Sequence, residues 1–189
     1  MTADELGALA RQAREGSASA RHALLAELYT AVRKHIYLLI GSGALADDAV
    51  QETMISLHRG LAGFRGDASP KTWALAIATR TAYRLRRKES RYIPDDEIDA
   101  AVFDVGPTEA AELVVLRKAL DTLAPKKRAA FVLMAIFELT AEEAGDALGT
   151  FTNTAASRFR HARADLEKQF STNFDDGVPR LATNKGGTQ

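Results

Sequence analysis

Apolar residues recur three and four positions apart along most of the chain, which places them on one side of an α-helix. Strand signals are weak, because alternating runs of Val, Ile and Thr are missing. The pattern therefore predicts an all-α fold. The first part is predicted to form helices over residues 3–15, 18–40 and 46–61 and from Pro70 to Arg87, with Ser69 as the N-cap of the last.

A second group of helices is predicted further along the chain. One helix ends at Pro125 and the next covers residues 126–138. The stretch 139–166 then reads as two short helices separated by a turn of about four residues, which is the spacing of a helix-turn-helix. Regularly spaced leucines mark the first helix of the group: Leu113, Leu116, Leu120 and Leu123.

Local signals support the helix pair at 139–166. Thr140 followed by Glu143 is a capping box, which predicts a helix start. Gly149 can supply the left-handed residue that ends this helix. Thr152 or Asn153 can cap the next one.

The charge changes sign between the two groups of helices. Residues 71–91 contain seven basic side chains and one acid, whereas residues 92–112 contain seven acids and no base. Together with two prolines and a glycine, this change predicts a flexible acidic linker over 91–107. The chain is thus predicted to form two small helical domains, 1–90 and 108–170. Residues 171–189 are polar and rich in turn formers, which predicts a disordered tail.

The composition limits the chemistry open to the chain. Its 189 residues carry 25 basic and 25 acidic side chains, so affinity for nucleic acid must come from local patches. The absence of cysteine excludes disulfides, thiolate metal sites and a cysteine nucleophile. No stretch approaches the roughly 20 apolar residues that span a bilayer, and we therefore expect no membrane insertion.

The second helix of the pair has an apolar and a polar side. The inward positions are Ala155, Phe159, Ala162 and Leu166. The polar side can bring short side chains to base edges and arginines to phosphates. It carries Asn153, Ser157, Arg160 and His161, with Arg158 and Arg163 on its flanks. A helical hairpin with a solvated polar face is the alternative, and His161 fits either a phosphate contact when protonated or simple solvation.

The predicted helix over 71–88 carries an aromatic residue followed by a row of arginines. Trp73, Ile77, Arg80, Arg84 and Arg87 fall on one stripe. This arrangement suits a nucleic-acid strand, with a base stacked at one end and phosphates paired along the rest. The alternative is that Trp73 belongs to the core and that the arginines form a solvated face.

The predicted helix over 46–61 exposes an apolar residue within a polar face. Ile55 lies among Asp48, Glu52 and Arg59, which indicates a surface for a partner. A metal site is the alternative, but His58 lies too far around the helix to converge with the two carboxylates. The sequence contains neither a glycine-rich phosphate loop nor a nucleophile elbow, and we expect no cofactor.

These stretches, in this order, resemble bacterial RNA polymerase sigma factors of the small extracytoplasmic-function group. Residues 47–80 resemble the family's region 2, and residues 123–166 resemble its region 4. In region 2 the matching positions are Asp48 to Glu52, Phe64, Gly66, Asp67, Ser69, Thr72 and Trp73. In region 4 they are Arg128, Glu143, Leu148, Gly149, Thr154, Ser157, Arg158, Ala162, Arg163 and Leu166.

The resemblance implies a cytoplasmic protein that is not an enzyme. It would bind core RNA polymerase and direct it to promoter DNA, with an anti-sigma factor as a further partner. Region 2 would dock on the polymerase and open the minus-ten element, and region 4 would read the minus-thirty-five element. The alternative is a stand-alone helix-turn-helix transcriptional regulator, although the first 90 residues resemble neither a dimer surface nor a ligand domain.

The resemblance also assigns residues to partners. The acidic helix would meet core polymerase through Asp48, Gln51, Glu52 and Ile55. The loop 64–70 would hold an unpaired base, and the following helix would track the strand. The implied DNA contacts in region 2 are Arg65, Ser69, Lys71, Trp73, Arg80, Arg84 and Arg87. Those in region 4 are Asn153, Thr154, Ser157, Arg158, Arg160, His161 and Arg163.

Overall fold

A computed structural model describes residues 1–89 and 107–175, and every regular element in these ranges is helical. The all-α prediction is confirmed. The first group comprises α1 (Ala3–Arg14), α2 (Ala18–Ile40), α3 (Ala44–Gly60), a 3₁₀ turn (Leu61–Gly63) and α4 (Pro70–Glu89). The second group comprises α5 (Pro107–Asp121), α6 (Pro125–Phe131) with a π-helical continuation (Val132–Ile136), α7 (Ala141–Leu148) and α8 (Thr152–Asp175).

Helix α2 forms the centre of the first group and packs against α1, α3 and α4. Its buried residues repeat at intervals of four and three, so they form one apolar stripe along the helix. This stripe is Leu24, Leu28, Val32, Ile36 and Leu39. Helix α4 contributes mainly small side chains to the core, among them Ala74, Ala78 and Ala82. Since alanine has no long side chain, α4 can approach α2 closely.

The predicted helix starts are largely confirmed by their caps. The Ser69 hydroxyl accepts a hydrogen bond from the Thr72 backbone N–H at 3.0 Å and caps α4. The Thr140 hydroxyl accepts from the Glu143 N–H at 3.2 Å, while the Glu143 carboxylate accepts from the Thr140 N–H at 2.9 Å. Gly149 ends α7 with φ of 59°, in the left-handed region that favours glycine.

Two boundaries in the second group differ from the prediction. Helix α8 begins at Thr152, so the position before its first residue is Phe151, and neither Thr152 nor Asn153 caps it. Helix α8 also continues to Asp175, so residues 171–175 are helical and not part of a disordered tail. The residues just before them, 166–169, are good helix formers, so the helix extends past residue 170. Within this extension the Ser171 hydroxyl donates to the Glu167 carbonyl at 2.9 Å.

Two predictions fall partly on residues that are not described. The predicted linker over 91–107 lies outside the described residues except for Pro107, which begins α5. Proline suits this position because the first helical residues have no intrahelical partner for their N–H groups. The remainder of the predicted tail, 176–189, also lies outside the described residues.

The two helical groups pack against each other and share a continuous apolar core. Helix α7 lies against α4, and α5 lies against α2. The buried guanidinium of Arg128 donates to the carbonyl of Leu39, in the last turn of α2, at 2.7 Å. The hydroxyl of Tyr83 donates to the carbonyl of Pro125 at 2.6 Å. The second group is therefore fixed to the first by polar contacts as well as by apolar packing.

His35 belongs to this junction. It is fully buried, its Nε2 lies 2.7 Å from the Thr79 hydroxyl, and its ring meets the edge of Phe137 at 5.4 Å between centroids. Burial lowers the pKa of His35 to about 3, so the ring is neutral at neutral pH. His35 therefore serves packing between the two groups.

Candidate nucleic-acid interface

The loop between α3 and α4 is held in a defined shape. Gly66 has φ of 84°, a left-handed conformation that side chains disfavour, and Ser69 closes the loop by capping α4. Arg65 is exposed and pairs with Asp67 at 3.1 Å. A pair this exposed contributes little to stability, so the guanidinium can exchange Asp67 for a phosphate at small cost.

Trp73 is half-buried beside this loop. Its ring centroid lies 4.9 Å from that of Phe64, and a Cβ added to Gly60 would lie only 3.1 Å from its Cζ2. The indole therefore packs between the loop and the end of α3, in partial agreement with the core alternative. Stacking of its exposed part on a base stays a prediction.

The basic stripe on α4 is exposed at Arg80, Arg84 and Arg87. Arg84 forms an ion pair with Glu52 of α3. The resemblance to sigma factors assigns these two residues to different partners, DNA for Arg84 and the polymerase for Glu52. Their pairing means that a substitution at either one alters the surface around the other.

Helix α3 exposes the predicted partner surface. Asp48 and Gln51 are exposed, and Ile55 keeps 43% of its surface accessible. An apolar groove between α2 and α3 runs beside Ile55 and includes Tyr29, which is 42% exposed. Tyr29 was not predicted from the sequence. Its exposure could have been predicted, because Tyr29 lies off the buried stripe of α2. Its proximity to Ile55 could not, because that depends on how α2 and α3 pack.

The predicted base-reading helix, α8, has the expected apolar side. Ala155 and Ala162 are fully buried, and Phe159 stacks against Phe131 of α6 at 5.8 Å between ring centroids. On the polar side the exposed predicted contacts are Asn153, Arg160, His161 and Arg163, and the half-buried ones are Thr154, Ser157 and Arg158. Arg163 pairs with Glu167 one turn later at 2.7 Å.

The turn between α7 and α8 is only three residues long and tightly packed. A Cβ on Gly145 would lie 3.0 Å from the Thr150 carbonyl oxygen, so only glycine lets the turn approach α7 this closely. Phe151, at the end of this turn, keeps 85% of its surface accessible. Phe151 was not predicted from the sequence, because Thr152 and Asn153 are better capping residues.

A cleft lies between the 64–70 loop, α1 and α7. Its walls carry both signs of charge: the basic residues Arg11, Arg14 and Arg65 and the acidic residues Asp4, Asp67, Glu142, Glu143 and Asp146. The Thr72 hydroxyl lies 3.4 Å from the Glu143 carboxylate, and the Lys71 ammonium lies 5.4 Å from the ring centroid of Phe137. The start of α4 thus faces the second helical group.

The described residues contain no group of three or more His, Asp or Glu side chains placed to hold a metal ion. Within the same ranges no helix is both long and apolar enough to cross a membrane. The described surface instead presents exposed basic side chains on α4 and α8, an apolar groove beside α3, and the ordered loop 64–70. These features suit binding to macromolecules.

Two family descriptions match the chain in order. Sigma-70 region 2 matches residues 24–92, and Sigma-70, region 4 matches residues 113–166. The first match contains α3, the loop and α4, and the second contains α7 and the polar side of α8. Together they include the groove beside α3, the 64–70 loop and the basic side chains of α4 and α8, whereas the α1 wall of the cleft lies outside both matches.

Individual relatives agree with the family matches. The ECF RNA polymerase sigma factor ShbA of Streptomyces griseus is 31% identical over 160 residues, which cover 76% of this chain and 84% of ShbA. The ECF RNA polymerase sigma factor SigG of Mycobacterium tuberculosis is 29% identical over 164 residues, which cover 70% of this chain. The chain spans only 44% of the length of SigG.

Solved structures share the fold. CnrH, in complex with the cytosolic domain of CnrY, superposes with a TM-score of 0.69 at 25% identity and covers 90% of this chain and 99% of that one. The sigma factor RpoE of Bartonella quintana, in complex with the anti-sigma factor NepR, gives a TM-score of 0.65 at 23% identity, over 78% of this chain and 94% of that one. With both sigma-70 regions present in order and a relative matched over most of its length, the chain belongs to the extracytoplasmic-function group of the sigma-70 family.

Proposed function

We propose that the chain is a sigma factor that binds core RNA polymerase and directs promoter-specific initiation of transcription. The observation that carries this proposal is the ordered match to sigma-70 regions 2 and 4 on a chain that exposes a separate surface in each. The chain acts as a binding subunit in the cytoplasm, where the polymerase works, and the chemistry of RNA synthesis belongs to the polymerase. A stand-alone helix-turn-helix regulator usually needs a dimer surface or a ligand domain, and the first 90 residues resemble neither.

Region 2 makes the polymerase contact through α3. Ile55 and Tyr29 offer apolar area beside the polar side chains of Asp48 and Gln51, which is the composition of an interface with a small apolar centre and a polar rim. Glu52 contributes charge at the edge of this surface and orients Arg84 through their ion pair. The exposed arginines of α4 then lie beside the docked surface.

The loop and α4 hold the melted strand of the minus-ten element. A base that leaves the duplex loses its stacking partners, so it needs a shaped recess and nearby cations for its phosphates. The loop 64–70 supplies the recess, and Arg65, Lys71 and the arginines of α4 supply positive charge. Trp73 supports the loop from behind through its contact with Phe64.

Release of α7 from this loop accompanies promoter opening. Glu142, Glu143 and Asp146 share a cleft with the loop, and their carboxylates repel a phosphate chain that enters it. The zero net charge of the chain gives DNA no further attraction. Binding to the polymerase separates the two groups in this proposal, so the isolated chain binds promoter DNA poorly.

An anti-sigma factor is the second protein partner in this proposal. Two structurally similar proteins were solved in complexes, CnrH with the cytosolic domain of CnrY and RpoE with the anti-sigma factor NepR. This chain shares their fold and exposes the groove between α2 and α3. A partner that covers the groove would compete with the polymerase for the same apolar surface.

The base-reading and phosphate-binding roles on α8 can be separated by two substitutions. Arg163→Ala should weaken use of all promoters about equally and reduce the salt slope by about one, because a flanking arginine meets phosphate. Arg160→Ala should cost about 1–3 kcal/mol at one base position and relax the preference there. The measurement is transcription with core polymerase from a promoter library randomised in the upstream element.

Two controls sharpen this test. Arg163→Lys keeps the charge and should retain most activity, whereas Glu167→Gln tests whether loss of the Arg163 ion pair alone has an effect. If Arg160→Ala and Arg163→Ala both reduce activity evenly with unchanged sequence preference, the base-reading side of α8 is misassigned. If neither has an effect, α8 does not enter the groove.

A further inference from the structure

Phe151 is the most exposed of the large apolar side chains in the described part of the chain. It keeps 85% of its surface accessible, compared with 45% for Phe170 and 43% for Ile55. Phe151 does not belong to the apolar core, whereas Ala155, four residues later in α8, does. An aromatic ring left in water adds little to the stability of the fold, and at this position it is open to contact with a partner.

The backbone around Phe151 is fixed, so its ring cannot retreat into the core by a small shift. The Phe151 carbonyl accepts from the N–H groups of Thr154 at 2.9 Å and Ala155 at 3.0 Å. On the other side, the Thr150 N–H donates to the Gly145 carbonyl at 2.9 Å. The backbone that carries the ring is thus already ordered before any partner arrives, so contact does not require ordering of the turn.

The exposed ring adjoins the predicted base-reading residues. Phe151 immediately precedes Thr152 and Asn153, both exposed, at the leading end of α8. A recognition helix brings its N-terminal residues to the base edges of the major groove. Among the base edges in that groove, only thymine presents a methyl group, and phenylalanine is one of the side chains that contact it.

We propose that Phe151 contacts the methyl group of one thymine in the upstream promoter element and thereby sets a sequence preference at that position. This inference rests on the proposed function, because it requires that α8 enters the major groove of promoter DNA. The Phe151 ring would contact a single methyl group. This contact would lie next to the predicted polar contacts of α8, which run from Asn153 to Arg160. It adds an apolar determinant to an interface otherwise made of hydrogen bonds and ion pairs.

Replacement of thymidine by deoxyuridine tests the contact, because it removes the methyl group and leaves every hydrogen-bonding group in place. Transcription by core polymerase with the full chain is measured on promoters that carry one such replacement at a time. For the wild-type chain, the replacement at one position should reduce transcription about fourfold, which is the effect expected when one buried methyl group is removed. Phe151→Ala should use the thymidine and deoxyuridine promoters equally, and Phe151→Leu should keep part of the difference.

The control is Phe170→Ala, which removes an exposed phenylalanine at the other end of the same helix and should leave the deoxyuridine effect unchanged. A deoxyuridine effect that persists in Phe151→Ala would overturn the inference. So would promoter-specific transcription without any deoxyuridine effect in the wild-type chain, and in that case the proposed function would stand. Absence of transcription with every promoter would instead contradict the proposed function, and the inference would fall with it.

Discussion

The double substitution Glu52→Lys with Ile55→Ser is expected to abolish co-purification of the chain with core RNA polymerase and to leave its helix content unchanged. Both residues lie on the outer side of α3, so neither contributes to the core. Ile55→Ser removes apolar area at the centre of the proposed surface, and Glu52→Lys reverses a charge beside it. The few residues that dominate a protein interface each cost about 2 kcal/mol or more when truncated, and the reversed charge at the edge adds to the loss of Ile55, so the pair should weaken binding by about a hundredfold or more.

A matched control exists on α5. Glu112→Lys with Val115→Ser makes the same two changes at the same spacing, on an exposed acid and an apolar residue that is 62% exposed. This control should still co-purify with the polymerase. If both double variants retain binding, the docking surface is elsewhere. If both lose it, the effect comes from charge or solubility and not from α3.

The ion pair between Glu52 and Arg84 requires one more variant. Exchange of the two charges, Glu52→Arg with Arg84→Glu, keeps the pair but moves each charge to the other helix. If Glu52 contacts the polymerase directly, the exchanged variant should bind as poorly as Glu52→Lys. If Glu52 matters only because its ion pair joins α3 to α4, the exchange should restore binding.

The second large effect is expected from Arg128→Met, which should lower the stability of the whole chain. The Arg128 guanidinium donates to the carbonyls of Leu39, Leu120 and Asp121, at 2.7, 2.9 and 3.0 Å. A buried carbonyl that loses its donor costs about 1–3 kcal/mol. The Leu120 carbonyl still accepts from the Leu123 N–H at 3.1 Å, so two carbonyls lose their donor, and we expect a loss of about 3 kcal/mol, equivalent to a fall in melting temperature of about 6–12 °C.

Thermal unfolding followed by circular dichroism measures this change. Lys126→Met removes an exposed cation two residues earlier and should shift the melting temperature by less than about 2 °C. Tyr83→Phe, which removes only the hydrogen bond to the Pro125 carbonyl, should cost about 0.5–1.5 kcal/mol. An Arg128→Met variant as stable as Lys126→Met would mean that the two helical groups are not joined through Arg128.

Helices and caps could be predicted from the sequence because their signals are local. Ser69 lies three residues from the N–H group that it caps, and the Thr140–Glu143 box closes within one turn. Exposure of Ile55 also follows from its position around a single helix. Each of these predictions requires only the helical period and the chemistry of neighbouring residues.

Packing between the helical groups could not be predicted in the same way. The hydrogen bond from Arg128 to Leu39 joins residues 89 positions apart, and no local pattern marks either partner. The pairing of Glu52 with Arg84 depends on the angle between α3 and α4, which a helical wheel does not contain. Phe151 was missed for a different reason: two better capping residues follow it, yet tight packing of the turn against Gly145 starts the helix at Thr152.

The most direct test of the central claim is run-off transcription with core RNA polymerase and genomic promoter fragments, alongside binding of the same fragments by the isolated chain. We expect discrete transcripts from a subset of fragments only when the chain and the polymerase are both present, and weak binding by the chain alone at physiological salt. Absence of such transcripts, together with tight sequence-specific binding by the isolated chain, would contradict a sigma factor and support a stand-alone regulator.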